Sequence, residues 1–273
     1  MTDFSRYLIA TDLDGTFFGP KGSRVERNFE AVRRFQAGGG LFTMATGRVH
    51  LNIRNVVGEP AELLNAPAVM SNGAYLYDFA QKKAYAQQMM AAEDTKELLD
   101  FMGRNFPLVD FRISTVDGLL IARTDGYVGR DLHWYDEGCV RLVTDGDFEL
   151  DRWYKIVFRD EAEVLERVRA SLISAYGTRF SVTSSGSSVL EVQCGGCNKA
   201  TGLRALHDHC GHDRILIACG DFENDLEMLQ AADVAICPEN AMDRVKAICR
   251  HTLCHCKDGL MGDVVDLLEK GEL

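Results

Sequence analysis

No stretch of the 273 residues approaches the ~18 consecutive apolar residues of a membrane-crossing helix, so a spanning segment is not expected. Basic residues are not in excess either. Thirty Lys and Arg stand against 41 Asp and Glu, a formal net charge of −11. A mean field of that sign repels nucleic acid and anionic membrane, so neither is expected as a partner, and a phosphorylated ligand would need local cations or a metal. Asp3, Arg6, Asp12 and Asp14 fall where a signal peptide would be apolar, which makes the cytoplasm the expected location. Internal repeats, low-complexity tracts and long disordered linkers are missing as well.

The cysteines lack the arithmetic of a disulfide framework. They number nine, an odd count, and without a secretory leader they read as reduced thiols. Cys194-Gly195-Gly196-Cys197 has the spacing of a redox or zinc half-site, but no second C-x-x-C follows, and His207, His209 and Cys210 come in no ligand spacing. Cys249 to Cys256, with His251 and His255, is no more suggestive. A dinucleotide fingerprint is also lacking: Gly38-Gly39-Gly40 precedes a strand, and the first strand runs into Asp12-Leu13-Asp14-Gly15, not G-x-G-x-x-G.

With 46% hydrophobic and 26% charged residues, the chain can bury a full core and divide into two domains. Its first third alternates strand and helix signals. Leu8 to Thr11 reads as a buried strand, and Arg24 to Ala37 carries Val25, Phe29, Val32 and Phe35 at helical spacing. The triple glycine stops that helix. Leu41 to Ala45 and Ala68 to Met70 read as the second and third strands, and Ile215 to Cys219 as another after the middle of the chain. Such alternation predicts a doubly wound parallel sheet of the α/β class.

The middle has a different pattern. Asp117-Gly118 between Phe111 to Ile113 and Leu119 to Arg123 predicts a hairpin. Tyr154 to Phe158 reads as a strand, Glu161 to Tyr176 as a helix, and Phe180 to Thr183 with Val189 to Gln193 as a second hairpin. Residues 81–190 are therefore expected to form an inserted α+β domain, with 1–80 and 191–273 as the core.

Chemistry-bearing residues gather where the apolar runs end. Asp12 and Asp14 follow Tyr7-Leu8-Ile9-Ala10, Thr46 follows the second strand, Lys199 opens Lys199-Ala200-Thr201-Gly202, and Asp221, Asn224 and Asp225 follow Ile215 to Cys219. Singly, each has a plain structural use as a turn former, a helix cap or a solvated lysine. Together, on parallel strands, they meet at one sheet edge, where open α/β sheets bind ligands. Carboxylates, a hydroxyl and a lysine there suit a hard divalent cation and a phosphate, since oxygen ligands are those of Mg²⁺. Arg48 and Asn72 could belong to the site or to a salt bridge and a turn.

These motifs, in this order, resemble those of the haloacid dehalogenase superfamily, and more closely its Cof-type sugar-phosphate phosphatases. Asp12-Leu13-Asp14-Gly15-Thr16 resembles the family's first motif, Thr46-Gly47-Arg48 its second, Lys199 its third, and Gly220-Asp221 with Asn224-Asp225 its fourth. Ser71-Asn72-Gly73-Ala74, Glu239-Asn240-Ala241 and Lys257-Asp258-Gly259-Leu260 are also similar to Cof-type sequences. The resemblance implies a Rossmann-like core with a C2-type cap, and a Mg²⁺-dependent phosphatase acting on small phosphorylated metabolites through an aspartyl-phosphate. In that scheme Asp12 is the nucleophile and Asp14 the acid and base. Asp12, Thr46, Gly47, Lys199 and Asn224 hold the phosphate, and Asp12, Asp14, Asp221 and Asp225 form the metal set. Arg112, Arg123, Tyr127, His133 and Trp153 are candidate substrate contacts of the insert. A phosphotransferase or mutase of the same superfamily, or a regulatory module phosphorylated on Asp12, are the alternatives. Oligomeric state is not legible.

Overall fold

The computed structural model describes residues 2–130, 132, 135, 138–143, 148–211 and 213–273, with only the backbone at 54 and 55. Its contacts divide the chain into two units, one of residues 1–47, 56–86 and 198–273, the other of 48–55 and 87–197. The change-over falls between Ala86 and Gln87 and between Cys197 and Asn198. A division at 80 and 81 would split the hairpin of Tyr75–Asp78 with Lys83–Tyr85, and one at 190 and 191 would split the strand Val189–Cys194.

The first unit is built on a five-stranded parallel sheet in the order His251–Leu253, Val234–Pro238, Ile215–Cys219, Tyr7–Thr11, Leu41–Met44. Ile9 sits in register with Ile217 on one side and Phe42 on the other. Because side chains alternate across a strand, Leu8 and Ala10 point to one face and Ile9 to the opposite one. On the first face Leu8, Ala10, Leu216, Ala218 and Cys237 pack with Leu203 and Leu206 of the helix Lys199–Cys210 and Met228 and Leu229 of the helix Leu226–Ala231. The other face is aromatic: Phe17 meets Phe42 at 5.6 Å and Phe29 of the helix Glu26–Ala37 at 5.2 Å between ring centroids. With helices on both faces, the sheet is doubly wound as expected. The first strand lies where the strand order turns from one direction to the other, the switch point at which such sheets open a crevice.

Asn28 locks that aromatic layer. Wholly buried on the helix Glu26–Ala37, it donates to the Phe17 carbonyl at 2.6 Å and accepts from the Met261 N–H at 2.8 Å, so it satisfies two main-chain groups of buried residues. On the surface beside it, Arg27 pairs with Asp263 and Asp266, and Arg34 with Asp266 and Glu269, tying the first helix to the helix Leu260–Lys270.

The expected third strand, Ala68–Met70, meets the parallel sheet through a parallel bridge between Ala45 and Val69, whose carbonyl also accepts from the Thr46 N–H at 2.9 Å. Its ladder is antiparallel, to Tyr75–Asp78. The turn between them explains this second pairing: Ser71, Asn72 and Gly73 all have positive φ, so the chain folds straight back instead of crossing over through a helix.

The second unit holds a six-stranded sheet in the order Phe180–Gly186, Val189–Cys194, Trp153–Arg159, Asp110–Thr115, Gly118–Ile121, Val140–Leu142. All pairs are antiparallel except the last. Leu98 and Met102 of the helix Ala92–Asn105 and Leu165, Val168 and Leu172 of the helix Ala162–Tyr176 pack with Ile113, Ile156, Phe158, Leu190 and Val192 of the strands. Lys155 and Glu191 are buried and paired at 2.5 Å. Among the described residues no helix is long and apolar enough to cross a membrane.

Candidate active site

The first strand carries its ladder one residue past its end, the Asp12 N–H donating to the Cys219 carbonyl at 2.8 Å. This leaves the Asp12 side chain at the mouth of the sheet, only 8% exposed. Two residues on, Asp14 is exposed. Gly15 then turns the chain with φ +87°, and a Cβ there would lie 2.6 Å from Asp221 Oδ2. Only glycine fits both the left-handed backbone and the approach of the carboxylate. Thr16 closes the loop by donating to Asp221 Oδ1 at 2.7 Å, and Asn240 Nδ2 donates to the Gly15 carbonyl at 2.8 Å while its Oδ1 accepts from the Cys256 N–H at 3.0 Å.

Lys199 enters from the N-terminus of its helix. Asn198 caps that helix, its side chain accepting from the Thr201 N–H at 2.9 Å while Thr201 Oγ1 accepts from the Asn198 N–H at 3.0 Å, a reciprocal box that fixes the first turn. The Lys199 side chain is entirely buried, and its Nζ donates to Asp12 Oδ1 at 2.5 Å and to Asp225 Oδ1 at 2.6 Å. The second oxygen of Asp225 accepts the N–H groups of Asp221 at 2.9 Å and Phe222 at 3.1 Å. Both Asp225 oxygens are thus engaged within the protein.

Carboxylate oxygens of Asp12, Asp221 and Asp225 lie within 4.8 Å of one another, a group able to hold a cation. Against these acids stands one buried lysine. Burial pushes the Asp12 carboxyl well up, with Lys199 pulling it down and Asp225, Asp221 and Asp14 adding to the rise. Burial and Asp225 likewise push Asp221 up to about 7, against the hydrogen bond from Thr16. Burial works against the Lys199 charge, but Asp12 and Asp225 prevail and raise its pKa. The surplus negative charge and the all-oxygen donor set fit a hard divalent cation.

Thr46 and Asn224 belong to the same neighbourhood. Thr46 is buried, its N–H donating to the Val69 carbonyl at 2.9 Å and its carbonyl accepting from the Asn72 N–H at 2.9 Å. Asn224 Nδ2 donates to Asn72 Oδ1 at 3.1 Å, so Asn72, ambiguous from sequence, joins the Thr46 strand end to the segment that carries Asp225. Gly73 seats this turn on the Lys199 helix: a Cβ there would be 1.9 Å from the Asn198 carbonyl oxygen. Gly47 follows Thr46 and is half-buried. Arg48 falls in the other unit and donates to the Asn52 carbonyl at 3.5 Å.

The candidate contacts of the insert fare differently. Trp153 is no ligand contact, because it is fully buried in the core of its unit with its Nε1–H given to the Glu149 carbonyl at 2.6 Å. Arg123 pairs with Asp110 at 3.4 Å, Tyr127 Oη donates to Glu161, and the Arg112 guanidinium lies 5.4 Å from the Tyr135 ring centroid. His133 lies outside the described residues. Sequence reasoning missed the uses of Thr16 and Asn240. Thr16 ended the first motif without a role, and Asn240 stood out only by resemblance.

Comparison with known proteins returns a consistent set. The profile of the haloacid dehalogenase-like hydrolases matches residues 9–261. The chain is 27% identical over 261 residues to an HMP-PP phosphatase of Escherichia fergusonii, covering 92% of this chain and 91% of that one. Among solved structures it is similar to a haloacid dehalogenase-like hydrolase from B. subtilis (TM-score 0.84, 20% identity, 96% of this chain and 99% of the other). It is also similar to a sugar phosphatase of haloacid dehalogenase subclass IIB (TM-score 0.79, 17% identity, 98% and 100%).

Proposed function

The chain belongs to the haloacid dehalogenase-like hydrolases and is a phosphatase of that family, and from this premise we propose that it hydrolyses small phosphate monoesters through an aspartyl-phosphate on Asp12. The observation that carries the reading is the position of Lys199, its ammonium shared between Asp12 and Asp225 beside Asp221. That arrangement supports a pocket for a dianionic phosphoryl group, which one isolated carboxylate would repel.

In the proposed reaction an Asp12 carboxylate oxygen attacks phosphorus while Asp14 gives its proton to the departing alcohol oxygen. Asp14, now a carboxylate, takes a proton from water, and that water displaces phosphate from Asp12. The covalent step divides one displacement into two, and the acid of the first half is the base of the second. The buried setting of Asp12 and the exposed setting of Asp14 support this division of labour. Lys199, the Thr46 hydroxyl and the backbone at Gly47 hold phosphoryl oxygens, and Asn224, steadied by Asn72, orients them. In phosphoryl transfer most of the catalysis comes from such positioning and charge stabilisation.

Mg²⁺, held by the Asp12 carboxylate, the Asp14 carbonyl and the Asp221 carboxylate, would supply the positive charge that offsets repulsion between nucleophile and phosphate. Asp225, with both oxygens engaged, supports Lys199 and the Asp221 loop and lies within the same acidic group. To the inserted unit, the cap of this reading, we assign the choice of leaving group. The curated relatives named HMP-PP phosphatase support a small phosphorylated metabolite as substrate.

A screen of phosphate monoesters with Mg²⁺ tests the reading. Phosphate release without any acceptor alcohol is expected, and it should vanish in Asp12→Asn. Release only when a sugar acceptor is present would make the chain a phosphotransferase. Equal release by wild type and Asp12→Asn would overturn the mechanism.

A further inference from the structure

The Cys194-Gly195-Gly196-Cys197 segment ends the strand Val189–Cys194 and stops one residue short of Asn198, the cap of the Lys199 helix. The Cys197 N–H donates to the Cys194 carbonyl at 3.2 Å, closing a four-residue turn. Such a turn keeps its end Cα atoms within about 7 Å, which overlaps the ~4.4–6.8 Å that a disulfide spans. The turn is anchored on both sides. Gly195 donates to the Arg179 carbonyl at 3.0 Å and runs so close to the neighbouring strand start that a Cβ would lie 2.2 Å from the Thr178 carbonyl oxygen. Gln193 Nε2 holds the Cys197 carbonyl at 2.9 Å.

The two thiols influence each other and differ in setting: Cys194 is half-buried, Cys197 buried. Their contact lowers the pKa of Cys194, whereas the same contact and burial raise that of Cys197. An accessible thiol with the lower pKa beside a buried one is the division between an attacking and a resolving cysteine.

We propose that Cys194 and Cys197 are a reversible disulfide site that reacts with small-molecule disulfides of the glutathione class and that, once closed, slows the reaction at Lys199. The Cys194 thiolate attacks one sulfur of the small disulfide and expels the other as a thiolate. Cys197 then gives up its proton, attacks the Cys194 sulfur of the mixed disulfide and expels the second thiolate. Two protein thiols lose two electrons and two protons, and one small disulfide becomes two thiols.

The consequence follows from distance and chain connectivity. Sulfurs of two free thiols stand more than about 1 Å further apart than the ~2.05 Å of an S–S bond, so closure draws Cys197 toward Cys194 and strains its carbonyl's bond to Gln193. Asn198 is the next residue. Any shift there reaches the capping box and then Lys199, and a displacement of about 1 Å at a reacting group can cost on the order of 10²-fold in rate.

The kinetic half of this inference rests on the phosphatase reading; the chemical half does not. The test equilibrates the full chain in mixtures of reduced and oxidised glutathione, alkylates the remaining thiols, maps peptides by mass spectrometry and assays each sample. A Cys194–Cys197 disulfide should grow with the oxidised fraction, lower kcat/KM by about tenfold, and disappear with both effects reversed in dithiothreitol. Cys194→Ser and Cys197→Ser should keep the activity of the reduced protein and its value in oxidised buffer. The proposal fails if no such peptide forms at any ratio, if Cys194 stops at a glutathione adduct, if the disulfide forms with kinetics unchanged, or if the serine variants lose activity equally. A reduced protein without phosphatase activity would sink the reading of the reaction, and the peptide map would still decide the disulfide.

Discussion

Lys199 and Asp225 form a 2.6 Å ion pair in which neither side chain is reached by solvent. Removing one partner of a buried pair leaves the other charged and uncompensated, at a cost of about 3–5 kcal/mol. Lys199→Met should therefore lose both stability of that order, read by denaturant unfolding, and kcat/KM by at least roughly 10²-fold. Asp225→Asn should lose stability through the same pair. A Lys199→Met protein that unfolds at the wild-type midpoint would contradict the ion pair.

Asp12 and Asp14 should fail at different steps. Asp12→Asn has no nucleophile and should form no covalent species. Asp14→Asn, given an aryl phosphate whose leaving group needs little protonation, should still transfer phosphate to Asp12 and then stall, because no base activates water. A burst of aryl alcohol followed by a slow phase, with a phosphoryl adduct on the Asp12 peptide, is the expected record. Equal loss of burst and steady rate in Asp14→Asn would show that the base has been misassigned.

Thr16 aims Asp221 through one hydrogen bond. Groups that orient metal ligands typically change metal affinity by about 10–100-fold when removed. Thr16→Val should weaken Mg²⁺ binding within that range by calorimetric titration, and Thr16→Ser should restore it. If valine leaves the binding isotherm unchanged, Asp221 is held by other means or does not bind the ion.

Acidity of the site sets a dependence on pH. Asp221, raised from 3.8 to about 7, keeps a proton in the folded chain that the unfolded chain has lost, so stability falls as pH rises toward about 7. Half-buried His50, lowered from 6.5 to about 4 by burial, works the other way: the folded chain binds fewer protons there, and stability falls as pH drops below 6.5. In a chelator the Tm should decline from pH 6.5 to just beyond 7, and saturating Mg²⁺, which displaces the proton, should remove the decline. A flat Tm across that window in chelator would show that Asp221 is already ionised.

The parts legible in the sequence share a physical cause. Apolar strands that end in Asp12, Thr46 and Asp221 announce a sheet edge, because buried runs and abrupt charge are both local signals. Lys199 could be placed by its order among the motifs. Asn28 and Asn240 could not, since each has one of its main-chain partners more than 200 residues away and an exposed or buried Asn leaves no periodic trace. The Ala68–Met70 strand was legible beside the second strand, but its antiparallel partner was not, because that pairing was decided by the left-handed turn at Ser71 to Gly73. Trp153 looked like a ligand contact for its chemistry, and only its place in the second unit's core showed otherwise.

Asn28 bears finally on how the protein is made. The residue that steadies Phe17, just behind the Asp12 loop, takes its second hydrogen bond from Met261, and the strand bearing Asp12 pairs with Ile215–Cys219. A nascent chain emerging from the ribosome therefore carries Asp12 from the start but cannot complete the packing behind it until almost the entire polypeptide has been translated. Synthesis that halts between Asp225 and Met261 yields a product with Asp12, Thr46, Lys199, Asp221 and Asp225 all present and the Asp12 loop without its Asn28–Met261 support.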